Sequence, residues 1–458
     1  MFDLESHIRV WKTHVYTARS IGPEDVVELE SHLRDSVDGL MQQGLSAEES
    51  FLIAVRRLGD IDLIQAEFAK VSTEELWQQL FIPQVDNTST RKNRTEIIIV
   101  FALAVFAGLL SKVPALFGYG DFDSHGLIYA QNASFFALFP VALYLGWKRT
   151  LPRRKILFIG SLFFVVALMV NGYPSRAPHH TATLTAIHVP IITIFLLMYF
   201  YAGPSHSSDT GWRSVNTRLN YIRFIGESFV FAVLIGLGGI VLIMLTLGTF
   251  DLLGIDVSPF VLSWMGPLGF FGLFPVAAYL VEQKKSLIES IAPVLSRIFT
   301  PLFLVVTVSL IIAFAITPHA AYENRAMLIW FDLILALVLA LTLYSISAKD
   351  YHNTGERTIW DIFSLTLLIA AICVDSIALG GIIIRLTEYG LTPNKLAVLG
   401  ENIILLLNLI LLAIGYLKYV LRKSTFQKIV TMQMRFLPIY PLWAAVVVVI
   451  FPLLFGFV

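Results

Sequence analysis

From about residue 96 onward the chain alternates long apolar runs with short polar breaks. A helix needs about 20 mostly apolar residues to cross a bilayer core. Eleven runs reach that length, near 96–117, 129–147, 156–173, 183–202, 224–248, 259–281, 298–317, 326–346, 358–386, 394–419 and 438–458. The second is the least apolar, because Gln131 and Asn132 stand at its start. The first 72 residues follow a different rule. There the apolar residues recur every three or four positions, which is the spacing of helices with one buried face.

The pattern of this head predicts four short helices. One covers about 3–18. Gly22-Pro23-Glu24-Asp25 opens a second, with proline in the first turn and acids where the helix dipole favours them. Its apolar stripe is Val26, Val27, Leu29, Leu33, Val37, Leu40 and Met41, and Gly44 stops it. Ser46-Ala47-Glu48-Glu49 is a capping box that starts a third helix, with Phe51, Ile53, Ala54 and Leu58 facing inward. Gly59 ends that helix, and Asp60 caps a fourth through about Lys70. Residues 73–95 link the head to the first apolar run, with Trp77, Leu80 and Phe81 placed for a membrane interface.

Composition agrees with this division. Hydrophobic residues make up 56% of the chain and charged residues 14%, against about 25% in soluble domains. The zero net charge hides an asymmetry: residues 1–90 carry seven Lys/Arg against sixteen Asp/Glu, and the remainder carries 26 against 17. An acidic head therefore precedes a membrane body with basic flanks. The single Cys373 lies within an apolar run, which leaves no disulfide framework and no cysteine metal site. The N-terminal segment is charged and lacks the apolar core of a cleavable signal peptide.

The basic residues predict an orientation, since cytoplasmic flanks are enriched in Lys and Arg. With the head inside, inner flanks carry twenty-one positive residues, beginning with Arg91, Lys92 and Arg94. Outer flanks carry five: Lys112, Arg176, Arg325, Arg385 and Lys395. Val458 then falls at the outer face. The predicted N-terminus is therefore cytoplasmic, and the basic loops suit anionic lipid. Direct nucleic-acid binding is not expected.

One apolar segment occurs twice. Residues 135–145 read FFALFPVALYL and residues 270–280 read FFGLFPVAAYL, identical at nine of eleven positions. Pro140 and Pro275 align, and a shared mid-span kink is the simplest account of them. The two copies are spans 2 and 6. A weaker echo links Asp209-Thr210-Gly211-Trp212-Arg213 after span 4 to Asn353-Thr354-Gly355-Glu356-Arg357 after span 8. Gly390-Leu391-Thr392-Pro393 before span 10 echoes Ile255-Asp256-Val257-Ser258-Pro259 before span 6. The expected fold is all-α and polytopic: about eleven transmembrane helices in 4+4+3 parallel repeats behind a small cytoplasmic helical domain, with domains at 1–72, 73–95 and 96–458. Parallel repeats are common in transporters, with the site at the repeat interface. Duplication of a packing unit without transport is the alternative.

The head also carries a resemblance. Leu29-Glu30-Ser31-His32-Leu33-Arg34-Asp35, Gly44-Leu45-Ser46-Ala47-Glu48-Glu49-Ser50-Phe51 and Arg57-Leu58-Gly59-Asp60 resemble the permease prefix domain, a helical module also described as a signalling domain associated with helix-turn-helix regulators. The resemblance covers about residues 20–70, and Ser50 stands where that family usually has Ala. It implies a cytoplasmic module fused to permease-like or signalling membrane proteins, often linked to PadR-type regulators, and it implies no catalysis. The body is similar to bacterial multi-pass proteins of domain of unknown function 4153, through Tyr389-Gly390-Leu391-Thr392-Pro393-Asn394-Lys395 and Leu399-Gly400-Glu401-Asn402. Lys395 stands where that family leads one to expect Arg.

Ionisable residues within spans are functional candidates by default. Asp375 lies deep in span 9, Asp332 in the outer third of span 8, and Glu401 with Asn402 in the outer third of span 10. Arg385 lies farther along span 9, near the outer surface. One reading is a proton or cation site, or an anionic relay, lined by Asp332, Asp375 and Glu401 and gated by Arg385. The plainer reading is a set of interhelical hydrogen bonds with an ion pair near the surface, since buried paired charges often serve packing. Glu227 is expected at the interface where span 5 begins. Gly236, Gly238 and Gly239 suit close helix contact. His179, His180 and His188 have no carboxylate or cysteine at ligand spacing, so no metal and no cofactor is expected. No phosphate loop, nucleophile elbow or zincin motif is present, and no enzyme is expected. Two functions remain: a permease-like transporter of an ion or small solute with a regulatory head, or a membrane sensor whose head, residues 1–72, binds a cytosolic regulator.

Overall fold

The computed structural model describes residues 3–16, 23–42, 45–58, 87–120, 122–204, 211–283, 291–316, 325–349 and 357–458. Every regular element among the described residues is a helix. The chain divides into two compact units, Met1–Thr95 and Glu96–Val458.

The described part of the first unit has three helices: α1 (Leu4–Tyr16), α2 (Pro23–Gln42) and α3 (Ala47–Leu58). Ile8 and Trp11 of α1, Leu33, Val37 and Leu40 of α2, and Phe51 and Ala54 of α3 form one small core. Met41, expected on that stripe, is exposed. The capping box is formed as expected: Ser46 N–H donates to Glu49 Oε2 at 3.1 Å, and Glu49 N–H donates to Ser46 Oγ at 3.3 Å. Arg34 crosses from α2 to Glu5 of α1 at 2.6 Å and also holds Glu30 of its own helix. The predicted fourth helix at 60–70 and Gly44 lie outside the described residues, as do residues 73–86 of the linker and residues 209–210 and 353–356 of the two echoes.

The second unit begins on α4 (Asn87–Leu110), which stops short of the predicted end at residue 117. Ser111 Oγ donates to Gly108 O at the end of α4, and Val113–Leu116 forms one further turn. Then follow α5 (Phe122–Lys148), α6 (Arg153–Gly172), α7 (His180–Tyr201), α8 (Val215–Leu252), α9 (Gly266–Gln283), α10 (Ile291–Ile316), α11 (Arg325–Ala348), α12 (Ile359–Tyr389), α13 (Pro393–Val420), α14 (Phe426–Phe436) and α15 (Ile439–Ala445). Among the described residues ten segments are long and apolar enough to cross a membrane. They coincide with the predicted spans from the second onward, the last running from Phe426 to Leu454. Large apolar side chains of α6, α8 and α10 stand exposed along much of their length. A surface this apolar needs lipid, so the chain is a membrane protein.

Two large cores and a smaller one around Leu184, Ala397, Val447 and Phe451 hold the described part of this unit. Phe135, Tyr144, Leu145, Phe163, Val189, Met198 and Phe224 centre one, built mainly from α5, α6 and α7. Leu335, Val338, Leu367, Ala371, Leu405, Leu409, Leu412 and Val430 centre the other, built from α11, α12, α13 and α14. Both duplicated segments are helical, and α5 packs on α9. Phe136 and Phe271, equivalent positions of the duplicate, meet edge to face with centroids 5.4 Å apart. Proline removes the N–H that would serve the carbonyl four residues back, so Pro140 and Pro275 free the carbonyls of these same two phenylalanines. Irregular backbone in α5 lies at His125. A glycine replaces Ala137 at position 272 of the second copy. A Cβ there would lie 3.1 Å from Ala104 O, so the glycine admits α4.

Two π-turns, Val261–Met265 and Val446–Ile450, each come just ahead of a proline, Pro267 and Pro452. The carbonyls these prolines leave without a donor are Ser263 O and Val448 O, one within each turn, and Lys112 Nζ donates to the first. Glu227 is only 5% exposed within the protein, and Gly226 beside it admits Tyr344. One expectation is corrected. Gly238 and Gly239 face open space, and Gly236 only touches Leu273. The glycines at close approach are Gly108 against Leu268, Gly226 against Tyr344 and Gly400 against Trp443.

Two predictions concern the head. Ser50 is fully buried and its hydroxyl has no partner among the described residues. A buried hydroxyl without a bond costs about 1–3 kcal/mol, so Ser50→Ala raises the stability of the head by an amount of that order. Slower amide exchange at Leu33–Leu40 in the full chain would show it. Lys12, with Arg34, holds the Glu30 carboxyl below its ordinary value of 4.5. A lowered folded pKa gives stability that is full above the unfolded value and lost as pH falls through the folded one. The same amides therefore lose protection on acidification below the ordinary carboxylate range, and Arg34→Ala blunts that dependence.

Candidate functional site

Three antiparallel neighbours, α11, α12 and α13, bring together the polar residues singled out in their sequences. The buried face of α12 carries Ala370, Ala371, Val374, Ala378 and Ile382, mostly small side chains that let α13 approach closely. Asp375 follows Val374 on that face and is 0% exposed. Asn402 of α13 is likewise 0% exposed. Its Nδ2 donates to Asp332 Oδ1 of α11 at 3.0 Å and to Val398 O at 2.9 Å. Asp332 and Glu401 are half-buried. Asp332 is within electrostatic reach of both Asp375 and Glu401.

The charge of this group is not balanced locally. Both carboxylate oxygens of Asp375 and Oδ1 of Asn402 are buried without a hydrogen-bond partner among the described residues. No described Lys or Arg pairs with Asp332, Asp375 or Glu401. Arg385 is half-buried on α12, ten residues from Asp375, which is about 15 Å along the helix. It makes no ion pair among the described residues, so the structure does not bring it to the acids. Leu310, Ile311, Phe314, Phe331, Val374 and Ile377 line an apolar crevice beside the group. An ionised carboxylate without a partner in such surroundings is costly, so the group suits binding of positive charge.

Farther along the same helices lies polar chemistry that the sequence reading passed over. Asn408 of α13 is fully buried, and its Nδ2 donates to Tyr440 Oη at 2.6 Å. Gln433 of α14 is fully buried, and neither of its amide atoms has a partner among the described residues. At the start of α12, Asp361 takes Lys349 at 2.7 Å and closes a capping box with Thr358. Lys349 also reaches Tyr419 Oη at 3.2 Å, and Tyr416 is buried on the same helix. The available signal was the spacing of Asn402, Asn408, Tyr416 and Tyr419, which keeps one face of α13.

Other basic residues counted for orientation also have specific partners. Lys148 and Tyr144 both hold Glu96, and Arg149 holds Glu282 at 2.8 Å. Of the histidines, His188 is 2% exposed with Nδ1 on Leu184 O, His180 meets Asn394 at 3.0 Å, and His179 meets Ser175. Among the described residues no three His, Cys, Asp or Glu side chains converge with metal-ligand geometry. A shallow cleft of about 350 Å³ on α14, lined by Thr425, Gln427, Lys428, Thr431, Met432 and Arg435, contains none of the acids.

Comparison with protein-family models, with curated proteins and with solved structures finds no match to this chain.

The acid group makes a stability prediction. Asn402→Ala strips Asp332 of its donor and leaves a half-buried carboxyl unpaired, which costs about 1–3 kcal/mol. Asp375→Asn removes a buried charge at nearly constant shape, and its stability equals or exceeds that of the parent. Thermal unfolding of the purified chain in one detergent would separate the two.

Proposed function

We propose that this chain is a permease-like transporter of the bacterial plasma membrane that binds a monovalent cation or small cationic solute within the bilayer. The observation that carries this reading is the gathering of Asp332, Asp375 and Glu401 around buried Asn402, with no described cation paired to them. Membrane proteins keep intramembrane acids of this kind at ion and proton pathways. The duplicated segment supports the reading. A 4+4+3 arrangement of parallel repeats, eleven spans and a cytoplasmic N-terminus together put the acids in the outer half of the membrane. The contact of Phe136 with Phe271 then lies where the two copies meet, the usual place for a transporter to work.

The head, with its resemblance to the permease prefix domain, is the regulatory part in this reading. It acts without catalysis, by binding a cytosolic regulator of the PadR type. The body resembles domain of unknown function 4153, which brings no activity of its own. A second reading is favoured by the head forming a unit of its own with a capped helix and its own core. In that reading the chain is a sensor, and the membrane acids only join helices.

Reconstitution separates the two. Full-length protein in liposomes under an imposed membrane potential is expected to pass protons or sodium, followed with a trapped pH dye and with a sodium tracer. Asp375→Asn is expected to abolish the flux. Absence of flux for both probes, together with capture from native membranes of a cytosolic regulator that depends on residues 1–72, would replace the transporter with the sensor.

A further inference from the structure

We infer that the ion held by the acid group is a proton, and that a line of buried polar side chains along α13 carries it toward the Asp361–Lys349 pair. This rests on the transporter reading for its purpose, but not for its chemistry.

The first observation is the charge balance. Asp375 is wholly buried and both its oxygens lack partners among the described residues. The groups around it are mostly acidic. Asp332 of α11 lies within electrostatic reach of Asp375, and Glu401 of α13 lies within reach of Asp332. Helix α10, which also packs on α12, carries Arg297, and this residue lies over Trp360 near the start of α12. On α12 itself the other ionisable residues are Asp361, Cys373, Arg385 and Glu388; Cys373 is exposed, and Asp361 is engaged by Lys349. Three like charges cannot share an apolar interior unless most are neutralised. The three acids do not converge with the geometry of metal ligands. Protons neutralise carboxylates one by one and need no such convergence.

The second observation is the row of unsatisfied polar groups. Asn402 and Asn408 lie six residues apart on α13, about 9 Å along the axis, and Tyr416 lies eight residues farther, about 12 Å. Oδ1 of Asn402, Oδ1 of Asn408 and both amide atoms of Gln433 are buried without partners among the described residues. Buried polar atoms are almost always bonded, by water where protein does not reach. These four atoms, on α13 and on the α14 that packs against it, provide sites for waters that relay a proton. Tyr440 Oη, already bonded to Asn408, both donates and accepts. Leu405, Leu409 and Leu412 line the rest of this face and keep the intervals narrow.

The step is a simple proton exchange. A hydronium arriving from solvent at the Asp332 end breaks one of its O–H bonds and gives the proton to an Asp375 carboxylate oxygen, leaving neutral water. The new O–H bond breaks when the proton passes to water at Asn402 Oδ1, and then to water at Asn408 and Tyr440, about 9 Å along the axis. A proton is handed on by water past Tyr416 to the Asp361 carboxylate, and the Lys349 ammonium, which favours the ionised carboxylate, returns it to solvent as hydronium. No charge is created or lost along the way.

The test uses full-length protein in liposomes with two readouts. The infrared difference between acid and alkaline buffers reads the C=O stretch of a protonated carboxyl, and the trapped pH dye reads proton flux. The band in the range of buried carboxyls is expected in the parent, smaller by the contribution of Asp375 in Asp375→Asn, and unchanged by sodium chloride. Gln433→Leu and Asn408→Leu should keep the band but lower proton flux more than about tenfold, as a barrier raised by about 1.4 kcal/mol would. Gln433→Glu, which keeps a polar relay, should restore flux and guard against misfolding. A missing band, or one that sodium removes, overturns the proton as the ion while leaving sodium transport open. Full flux in Gln433→Leu and Asn408→Leu overturns the route. A band without flux of either ion keeps the proton site and removes the transporter.

Discussion

The structure turns on one constraint: carboxylates placed in an apolar interior with no cation beside them. Each of Asp332, Asp375 and Glu401 would be unremarkable alone on a lipid-facing surface near a headgroup. Together, on three packed helices around a buried asparagine, they must either hold positive charge or remain protonated. The small residues that flank Asp375 on α12 allow α13 close enough for Asn402 to reach across to Asp332. Packing and electrostatics are therefore set by the same face.

Proline and glycine shape the rest of the body by removing donors and side chains at chosen points. Pro267 leaves Ser263 O without its helical donor inside a π-turn, and Lys112 supplies another. Pro140 and Pro275 act at the two phenylalanines that join the duplicated helices. Gly272 replaces an alanine of the first copy where α4 needs room, and Gly400 admits Trp443 beside the acid group. These are local answers to the general demand that a membrane interior satisfy its own backbone and fill its own space.

Much of this was legible in the sequence. Long apolar runs place the spans because length and hydropathy alone decide them, and the head's capping box announces its third helix. The acids stood out because charge in a span is rare. What escaped was information carried by neighbours in space. The burial of Glu227 depends on neighbours distant in the chain, with Tyr344 closing against the adjacent Gly226. Gly238 and Gly239 look like contact residues by type, yet no helix approaches them. Asn408 and Gln433 resemble ordinary polar residues until their burial is known.

The account depends most directly on the adjacency of α11 and α13 at the acid group. The measurement that tests it is disulfide trapping in native membranes, in a chain whose only cysteine, Cys373, is replaced by serine. Asp332→Cys combined with Asn402→Cys places thiols where side chains now bond at 3.0 Å, and Asp332→Cys with Arg385→Cys serves as control. Mild oxidation followed by peptide mass spectrometry is expected to recover the 332–402 link and not the 332–385 link. A 332–385 link without the first would show that Arg385 faces the acids and that they are an ordinary ion pair.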